Sequence, residues 1–411
     1  MKILIATPVF YPMINGVAMF SYNLACQLAR MGHEVVVITP SQTGKKSTRM
    51  LDGVKVHYLD STRLMIYPDQ IHPVQEKKKR FYKYSLRASI FPGNQIKKIF
   101  REFLPDVVHV QGADPVGLFV SKYARKNHIP VVATEHNQPE VLTEPLHLFK
   151  FIEKPTNKAL SKFFIRRLKK SDFATMPTEL SLKVLLNGKD IGVPVKAISN
   201  GVDLTSFRPG KTSDNIYNIY NIPKDVPIIL YIGRLDPEKK VGTVIKSFAD
   251  FLEKHKLDKL SKTLFVIAGD GVDKNNLVNL ARKLKISDSV RFLGKVTGPD
   301  LYDVYRMGDV FATASEIETQ GIVLIEAAAT GLPLIAVDGG AVAEVCQNKV
   351  NGFLVEPGDI HAIAQAMSDI LSNDALREEM AKRSIEIASD HSLEVTAEKF
   401  IEIYNKVINR V

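Results

Sequence analysis

The sequence is poor in cysteine and lacks long apolar runs and the common metal and nucleophile motifs. Its two cysteines, Cys26 and Cys346, lie in opposite halves of the 411-residue chain. A disulfide framework does not fit that placement, and both read as buried thiols of a reducing compartment. No stretch approaches the roughly 18 uninterrupted apolar residues that a membrane span requires. The first apolar run, Ile3–Ala6, gives way to Thr7-Pro8 and is too short for the core of a secretory signal. Asp-x-Asp, HExxH, clustered Cys/His ligands, GxSxG and the GxxxxGK[ST] loop are absent. Zinc-peptidase, serine-hydrolase and P-loop chemistry are therefore unsupported, as is a metal bridged by a close carboxylate pair. GxGxxG is missing too, which counts against a nicotinamide dehydrogenase.

What is present is a globular composition, 45% hydrophobic and 24% charged, which excludes a disordered or collagen-like chain. The length suits two domains better than one. The net charge of +10 is unevenly spread: residues 1–200 hold 30 Lys+Arg against 15 Asp+Glu, and residues 201–411 hold 25 against 30. A basic half attracts phosphate, whether in nucleic acid, anionic lipid or a charged substrate, and charge alone does not choose among them.

Short apolar runs alternate with amphipathic segments, the pattern of parallel sheets with helical crossovers. Strands are expected at 2–7, 34–39, 53–59, 106–110, 130–134, 173–176 and 195–199, with a first helix over 17–31 closed by Gly32-His33. The stretch from Asn200 to Asn221, with Arg208-Pro209-Gly210 inside it, reads as the interdomain linker. Strands resume at 226–232, 262–268, 289–293, 309–313 and 332–337, and the tail holds two helices, about 373–389 and 393–408. The fold class is α/β with two doubly wound domains. Ligands of open parallel sheets sit at the carboxyl ends of the strands, so two such domains imply a cleft that closes by a hinge.

Four constellations fall on those expected strand ends. Gly16 stands where the first helix begins, after Pro8–Asn15; free N–H groups there suit an anion, although taken alone a plain turn glycine is the commoner reading. Gly233-Arg234-Leu235-Asp236-Pro237-Glu238-Lys239-Lys240 follows the first strand of the second half, and its Arg234 and Lys239 suit a diphosphate gaining charge as it leaves. Glu318-Thr319-Gln320-Gly321-Ile322 leads into an apolar helix carrying Glu326 among Val, Leu, Ile and Ala. A carboxylate in so apolar a stretch needs partners. Sugar hydroxyls would serve, and so would the helix dipole for Glu318 or a structural ion pair for Glu326. His136, in Thr134-Glu135-His136-Asn137, could be an acid, a base, a hydrogen-bond donor or a structural histidine.

Taken in order, these pieces resemble the retaining glycosyltransferases of family 4. The resemblance runs nearly end to end. It rests on Pro12…Gly16, Gly32-His33-Glu34-Val35, Asn200-Gly201-Val202-Asp203…Phe207-Arg208-Pro209, Gly233-Arg234-Leu235…Glu238-Lys239, Ala268-Gly269-Asp270-Gly271, and Ser315…Glu318…Glu326-Ala327-Ala328-Ala329…Gly331-Leu332-Pro333. It implies the GT-B fold: an acceptor-side Rossmann-like domain over 1–203, joined by the C-terminal helix at about 393–411, and a donor-binding one over 204–392. It implies further that Gly16 lets its loop close on the donor diphosphate, Arg234 and Lys239 hold that diphosphate, and Glu318 binds the transferred sugar with Gln320, Gly321 and Ile322. Glu326 would bind the ribose, Gly294–Val296 would lie near the base, and His136 would lie near sugar and acceptor. No metal or other cofactor is implied, the nucleotide sugar being a substrate. The mechanism implied is front-face substitution, in which a diphosphate oxygen takes the acceptor's proton and no side chain is a covalent nucleophile. Three departures stand out: Asn15 in place of a glycine, Lys240 in place of the glycine after Glu-Lys, and Glu135 before His136. The variant Glu318-Thr319-Gln320-Gly321 resembles enzymes that glycosylate diacylglycerol and related lipids.

Two basic segments interleaved with aromatics, 76–102 and 149–170, suit an anionic membrane surface. In the second, Lys154, Lys158, Lys162, Arg166 and Lys170 recur every four residues, a cationic stripe on a helix that Pro155 is expected to begin. A solvated helix face is the plainer reading. Nucleic acid is not expected, since no RNA-binding signature is present. The combined expectation is a cytoplasmic, membrane-surface hexosyltransferase using a glucose or mannose nucleotide and a lipid or lipid-linked acceptor. A soluble enzyme acting on a polysaccharide or small glycoside, a nucleotide-sugar 2-epimerase and a non-catalytic sugar-nucleotide-binding protein are the rivals.

Overall fold

The computed structural model describes residues 1–13, 15–63, 87–139, 143 and 150–410, apart from the side chains of 150 and 151. Part of the first basic segment, 76–86, and residue 149 of the second lie outside these. The chain divides into two compact units, Met1–Gly201 with Leu393–Val411, and Val202–Ser392.

The first unit is built on strands β1 (Lys2–Ala6), β2 (Glu34–Pro40), β3 (Ser47–Leu51), β4 (Val54–Leu59), β7 (Val107–Gln111), β8 (Val131–Thr134), β9 (Phe173–Met176) and β10 (Val195–Ala197); β5 (Thr62–Arg63) and β6 (Arg87–Ala88) pair separately. The sheet order is β10-β9-β8-β7-β1-β2-β4-β3, parallel except for β3. β7 and β9 are buried along their whole length, because helices cover both faces and no polar alternation is needed. On one face helix Gly16–Arg30 and the C-terminal helix Leu393–Ile408 pack Phe20, Leu24, Phe400, Ile403 and Tyr404 against Ile3, Ile5 and Val37. On the other, helices Gly93–Phe103 and Pro115–Lys126 pack Ile96, Phe100, Val116 and Val120 against Leu4, Val36 and Val108. Side-chain caps start two of these helices: Asn15 accepts from Ala18 N at 2.9 Å, and Asp114 accepts from the N–H groups of Val116 and Gly117.

The second unit holds β11 (Ile228–Ile232), β12 (Leu264–Ala268), β13 (Val290–Gly294), β14 (Val310–Ala312), β15 (Leu334–Val337) and β16 (Gly352–Val355), in the order β13-β12-β11-β14-β15-β16 and all parallel. Phe248, Phe251, Ile363, Met367 and Ile370 form the core on one face, and Tyr305, Leu324 and Ile325 on the other. In each sheet the strand order reverses once, between β1 and β7 and between β11 and β14. Loops leaving such a point in opposite directions open a crevice at the carboxyl edge.

Three expectations need correction. β3 and β16 were not foreseen; β3 is exposed at four of its five positions, so as an edge strand it carries no apolar run. Within the expected linker, Asp214–Tyr220 is a helix that buries Ile216 in the core of the second unit, and the division of the chain falls at Gly201. Pro155 lies inside helix Lys150–Leu168 rather than at its start. It sits in the second turn, where its missing N–H forfeits one bond, to the carbonyl of residue 151.

The tail helix supplies a full share of the first unit's core. Phe400→Ala is expected to lower stability by about 3–5 kcal/mol, with hydrogen exchange accelerating at β1 and helix Gly16–Arg30 rather than in the second unit. Unchanged exchange at β1 would refute that coupling.

Candidate active site

The loops that follow β11 and β14 flank the reversal point of the second sheet, and they bring Lys239 to Glu318. The Lys239 Nζ donates to Glu318 Oε1 at 2.6 Å, with both side chains largely shielded from solvent. Arg234, on the same loop, is held by Asp236 and, at 2.6 Å, by Glu238. Both cations are therefore in place and already partnered by carboxylates. The loop is braced by backbone: Gly233 N donates to Ala268 O, Leu235 N to Asp270 O, and Gly269 N to Gly294 O. Contact is so close that a Cβ on Gly269 would lie 1.8 Å from Gly233 O. Glu318 is braced from the other side. Ala341 N donates to its carbonyl at 2.9 Å, and at Gly340, with φ +57°, a Cβ would come within 2.5 Å of the same oxygen. Sequence reasoning missed this glycine support.

Lys240, the unusual residue after Glu238-Lys239, adopts the left-handed conformation, φ +50° and ψ 31°, between the 3-10 turn Pro237–Lys239 and helix Val241–Lys254. That backbone favours glycine, which explains why the substitution stands out while the loop keeps its course.

Gly321, also left-handed, precedes helix Ile322–Ala329, and Gln320 is buried beside it. Glu326, one turn on, accepts a hydrogen bond from the Tyr305 hydroxyl at 2.7 Å. Burial pushes its carboxyl up to about 7, against which the Tyr305 bond acts. Tyr305 carried no signal in the sequence beyond fitting an apolar helix face. Gly294 closes β13, and Val296 packs partly buried against the adjoining core. The nine second-half candidates thus lie at strand ends, on the loops that follow them or in the helix those loops lead into.

Gly16 and His136 belong to the first unit. Gly16 is exposed at the head of its helix, and Asn15, the other departure, is the residue that caps it. One turn along, Phe20 packs on the His136 ring, with centroids 5.0 Å apart. His136 is buried, which pushes its pKa down to about 3 and keeps it neutral. Its Nε2–H donates to Gln111 Oε1 at 2.7 Å. Behind Gln111 runs a buried polar chain in which His109 bonds to Gln111, to Thr134 and to Tyr404 of the C-terminal helix. Glu135 faces the opposite way, into a small cavity with Arg167; burial pushes its carboxyl up to about 7, and Arg167 and Asn137 act against the shift. Among the described residues, no group of three or more His, Cys, Asp or Glu side chains is arranged to hold a metal.

Two buried Rossmann-like sheets, with paired cations and carboxylates at the reversal point of the second, are the arrangement the structure offers. Comparison with known proteins makes the class specific. Residues 14–206 match the model of Glycosyltransferase Family 4, and residues 212–387 match that of Glycosyl transferases group 1. The chain is 26% identical over 358 residues to alpha-monoglucosyldiacylglycerol synthase of Streptococcus pneumoniae, covering 86% of this chain and 75% of that protein. It is 27% identical over 388 residues to GDP-mannose-dependent alpha-mannosyltransferase of Mycobacterium tuberculosis, covering 93% and 92%. Its fold superposes on sucrose-phosphate synthase of Thermosynechococcus elongatus with a TM-score of 0.77 over 100% of both chains, at 19% identity. The chain belongs to the GT-B glycosyltransferases, with a family 4 first half and a group 1 second half, and is a hexosyltransferase.

Glu326 offers a titration test. Its folded-state pKa, about 7, lies above the ordinary 4.5, so the folded state binds more protons between those values and loses stability as pH rises through that window. Glu326→Gln removes this loss. Its stability relative to wild type is expected to rise by about 2–3 kcal/mol between pH 4.5 and 7, measured by urea unfolding; a flat difference would mean the carboxyl is ionised throughout.

Proposed function

We propose that this hexosyltransferase takes glucose or mannose from a nucleoside diphosphate sugar and transfers it, with retention, to a lipid or lipid-linked acceptor at an anionic membrane surface on the cytoplasmic side. The observation that carries the reading is the Lys239–Glu318 pair at the reversal point. On this reading Lys239 would serve the diphosphate and Glu318, beside it, the sugar hydroxyls. A donor's diphosphate would compete for Lys239 and Arg234, and the carboxylates thereby released would turn to hydroxyl groups. Charge would then be stabilised on the leaving diphosphate in a preorganised site. Gly16 would admit the diphosphate at its helix start. Gln320, Gly321 and Ile322 would supply backbone donors, Glu326 would hold the ribose, and Gly294–Val296 would border the base. Neutral His136 would hydrogen-bond the sugar or acceptor. No resident metal or cofactor is invoked.

The lipid acceptor is supported by the Glu318-Thr319-Gln320-Gly321 variant and by relatives whose names carry diacylglycerol. Membrane association is supported by the exposed stripe Lys154, Lys158, Lys162 and Arg166 on a helix whose opposite side buries Phe164 and Leu168. No helix among the described residues is long and apolar enough to cross a membrane, so association would be peripheral.

Lys239→Ala is expected to reduce hexosyl transfer by about 10²–10³-fold, and chelation to leave it unchanged. The assay offers UDP- and GDP-sugars with anionic vesicles containing diacylglycerol, products being read by mass spectrometry. Undiminished transfer by the variant would remove the diphosphate assignment. Products formed on a glycan but not on lipid would favour the soluble reading.

A further inference from the structure

We propose that the first unit docks on the bilayer through an apolar pad made by Ile90, Phe91, Leu118 and Phe119, inserted among anionic headgroups. The inference rests on the lipid-acceptor reading and locates where that reading meets the membrane. Helices Gly93–Phe103 and Pro115–Lys126 lie side by side and run in the same direction. A Cβ on Gly93 would lie 3.7 Å from the Phe119 ring, and one to two turns further along Phe100 meets Tyr123 edge-on, with centroids 4.9 Å apart. Both helices therefore begin at the same end of the sheet. Helix Pro115–Lys126 follows β7, so that end is the carboxyl edge, the edge that holds Gln111 and His136.

At that end four large apolar side chains face solvent. Phe91 is 90% exposed, Ile90 47%, Leu118 41% and Phe119 37%. Single exposed apolar residues need no explanation, but a group brought together from the bend before helix Gly93–Phe103 and the first turns of helix Pro115–Lys126 marks an interaction surface. Next along the same helices come the exposed cations Lys97, Lys98, Arg101, Lys122, Arg125 and Lys126, against one carboxylate, Glu102, which Lys98 pairs at 3.8 Å. Lys97 is one turn from Gly93 and Lys122 one turn from Phe119, about 5 Å back from the tip. An apolar tip with cations one turn behind matches the layering of an anionic bilayer, acyl chains below and phosphates above. A second copy docked through this surface would set these cations against their own equivalents, so charge favours the bilayer over self-association. The placement also fits the chemistry: a lipid hydroxyl held at the bilayer surface would meet the edge carrying His136 without its chains leaving the membrane.

The chain contains no tryptophan, so Phe91→Trp gives a single fluorescent reporter at the tip. With vesicles of phosphatidylcholine and phosphatidylglycerol its emission is expected to shift to the blue and to be quenched by brominated acyl chains; with phosphatidylcholine alone it should stay unshifted. The double variant Phe91→Ser/Phe119→Ser is expected to bind the anionic vesicles at least about tenfold more weakly. Its hydrolysis of the donor in water should be unchanged and its thermal unfolding still cooperative, at a slightly lower midpoint because Phe119 is partly buried. Undiminished vesicle binding by the double variant would overturn the pad while leaving lipid transfer standing. Normal pad insertion with no hexosyl-lipid product would instead overturn the acceptor reading and keep the pad. An unshifted reporter together with pad-dependent self-association in sedimentation velocity would make this an interface between copies, overturning the proposal.

Discussion

Everything in this molecule follows from the burial of two parallel sheets on both faces. A polar group buried without a partner costs several times what a made hydrogen bond returns, so chemistry cannot be placed along the middle of such strands. It is driven to their carboxyl ends, where backbone N–H groups and loop side chains are free to face a ligand. β11, β12, β14 and β15 are buried and apolar throughout, and the charged candidates begin within two residues of β11 and six of β14. The exception proves the cost: His109 lies inside β7, and it is tied to Tyr404, Thr134 and Gln111.

The second unit keeps its cations in register by pairing them. Arg234 rests on two carboxylates of its own loop, and Lys239 rests on Glu318 from across the reversal point. Such pairs hold long side chains in one geometry in the absence of a ligand, at the expense that an incoming anion must displace them. Backbone-to-backbone bracing through Gly233, Gly269 and Gly340 fixes the loops themselves. Positioning of this kind suits a reaction in which charge on a leaving diphosphate, rather than a covalent nucleophile, is the main thing to be stabilised.

The central strands were legible because uninterrupted apolar runs bounded by Gly, Pro and Asp leave few alternatives, and the charged loops were legible because they follow those runs. What was illegible shares one property, that the relevant partner lies far away in sequence. Tyr305 reads as core until Glu326 is found 2.7 Å from its hydroxyl. Gln111 and His109 carried no signal in the sequence, and only the structure brings His136 and Tyr404 to them. Edge strands such as β3 lack the burial that writes an apolar pattern, and helix Asp214–Tyr220 hides in a stretch of polar residues around one buried isoleucine, Ile216. Pro155 looked like a helix start because proline is well tolerated there, and its tolerance one turn later depends on where the helix actually begins.

The sequence by itself determined the fold class, the family and the residue types at the strand ends, because apolar periodicity and turn chemistry are local properties. Only the tertiary structure decided which charges meet, Lys239 with Glu318 across 79 positions, and which neutral histidine is wired to the C-terminal helix. It alone gathered Ile90, Phe91, Leu118 and Phe119 at one edge. The reason is physical: pairing and patch formation depend on distances across the sheet, and those are set by strand order, which no local stretch of sequence encodes.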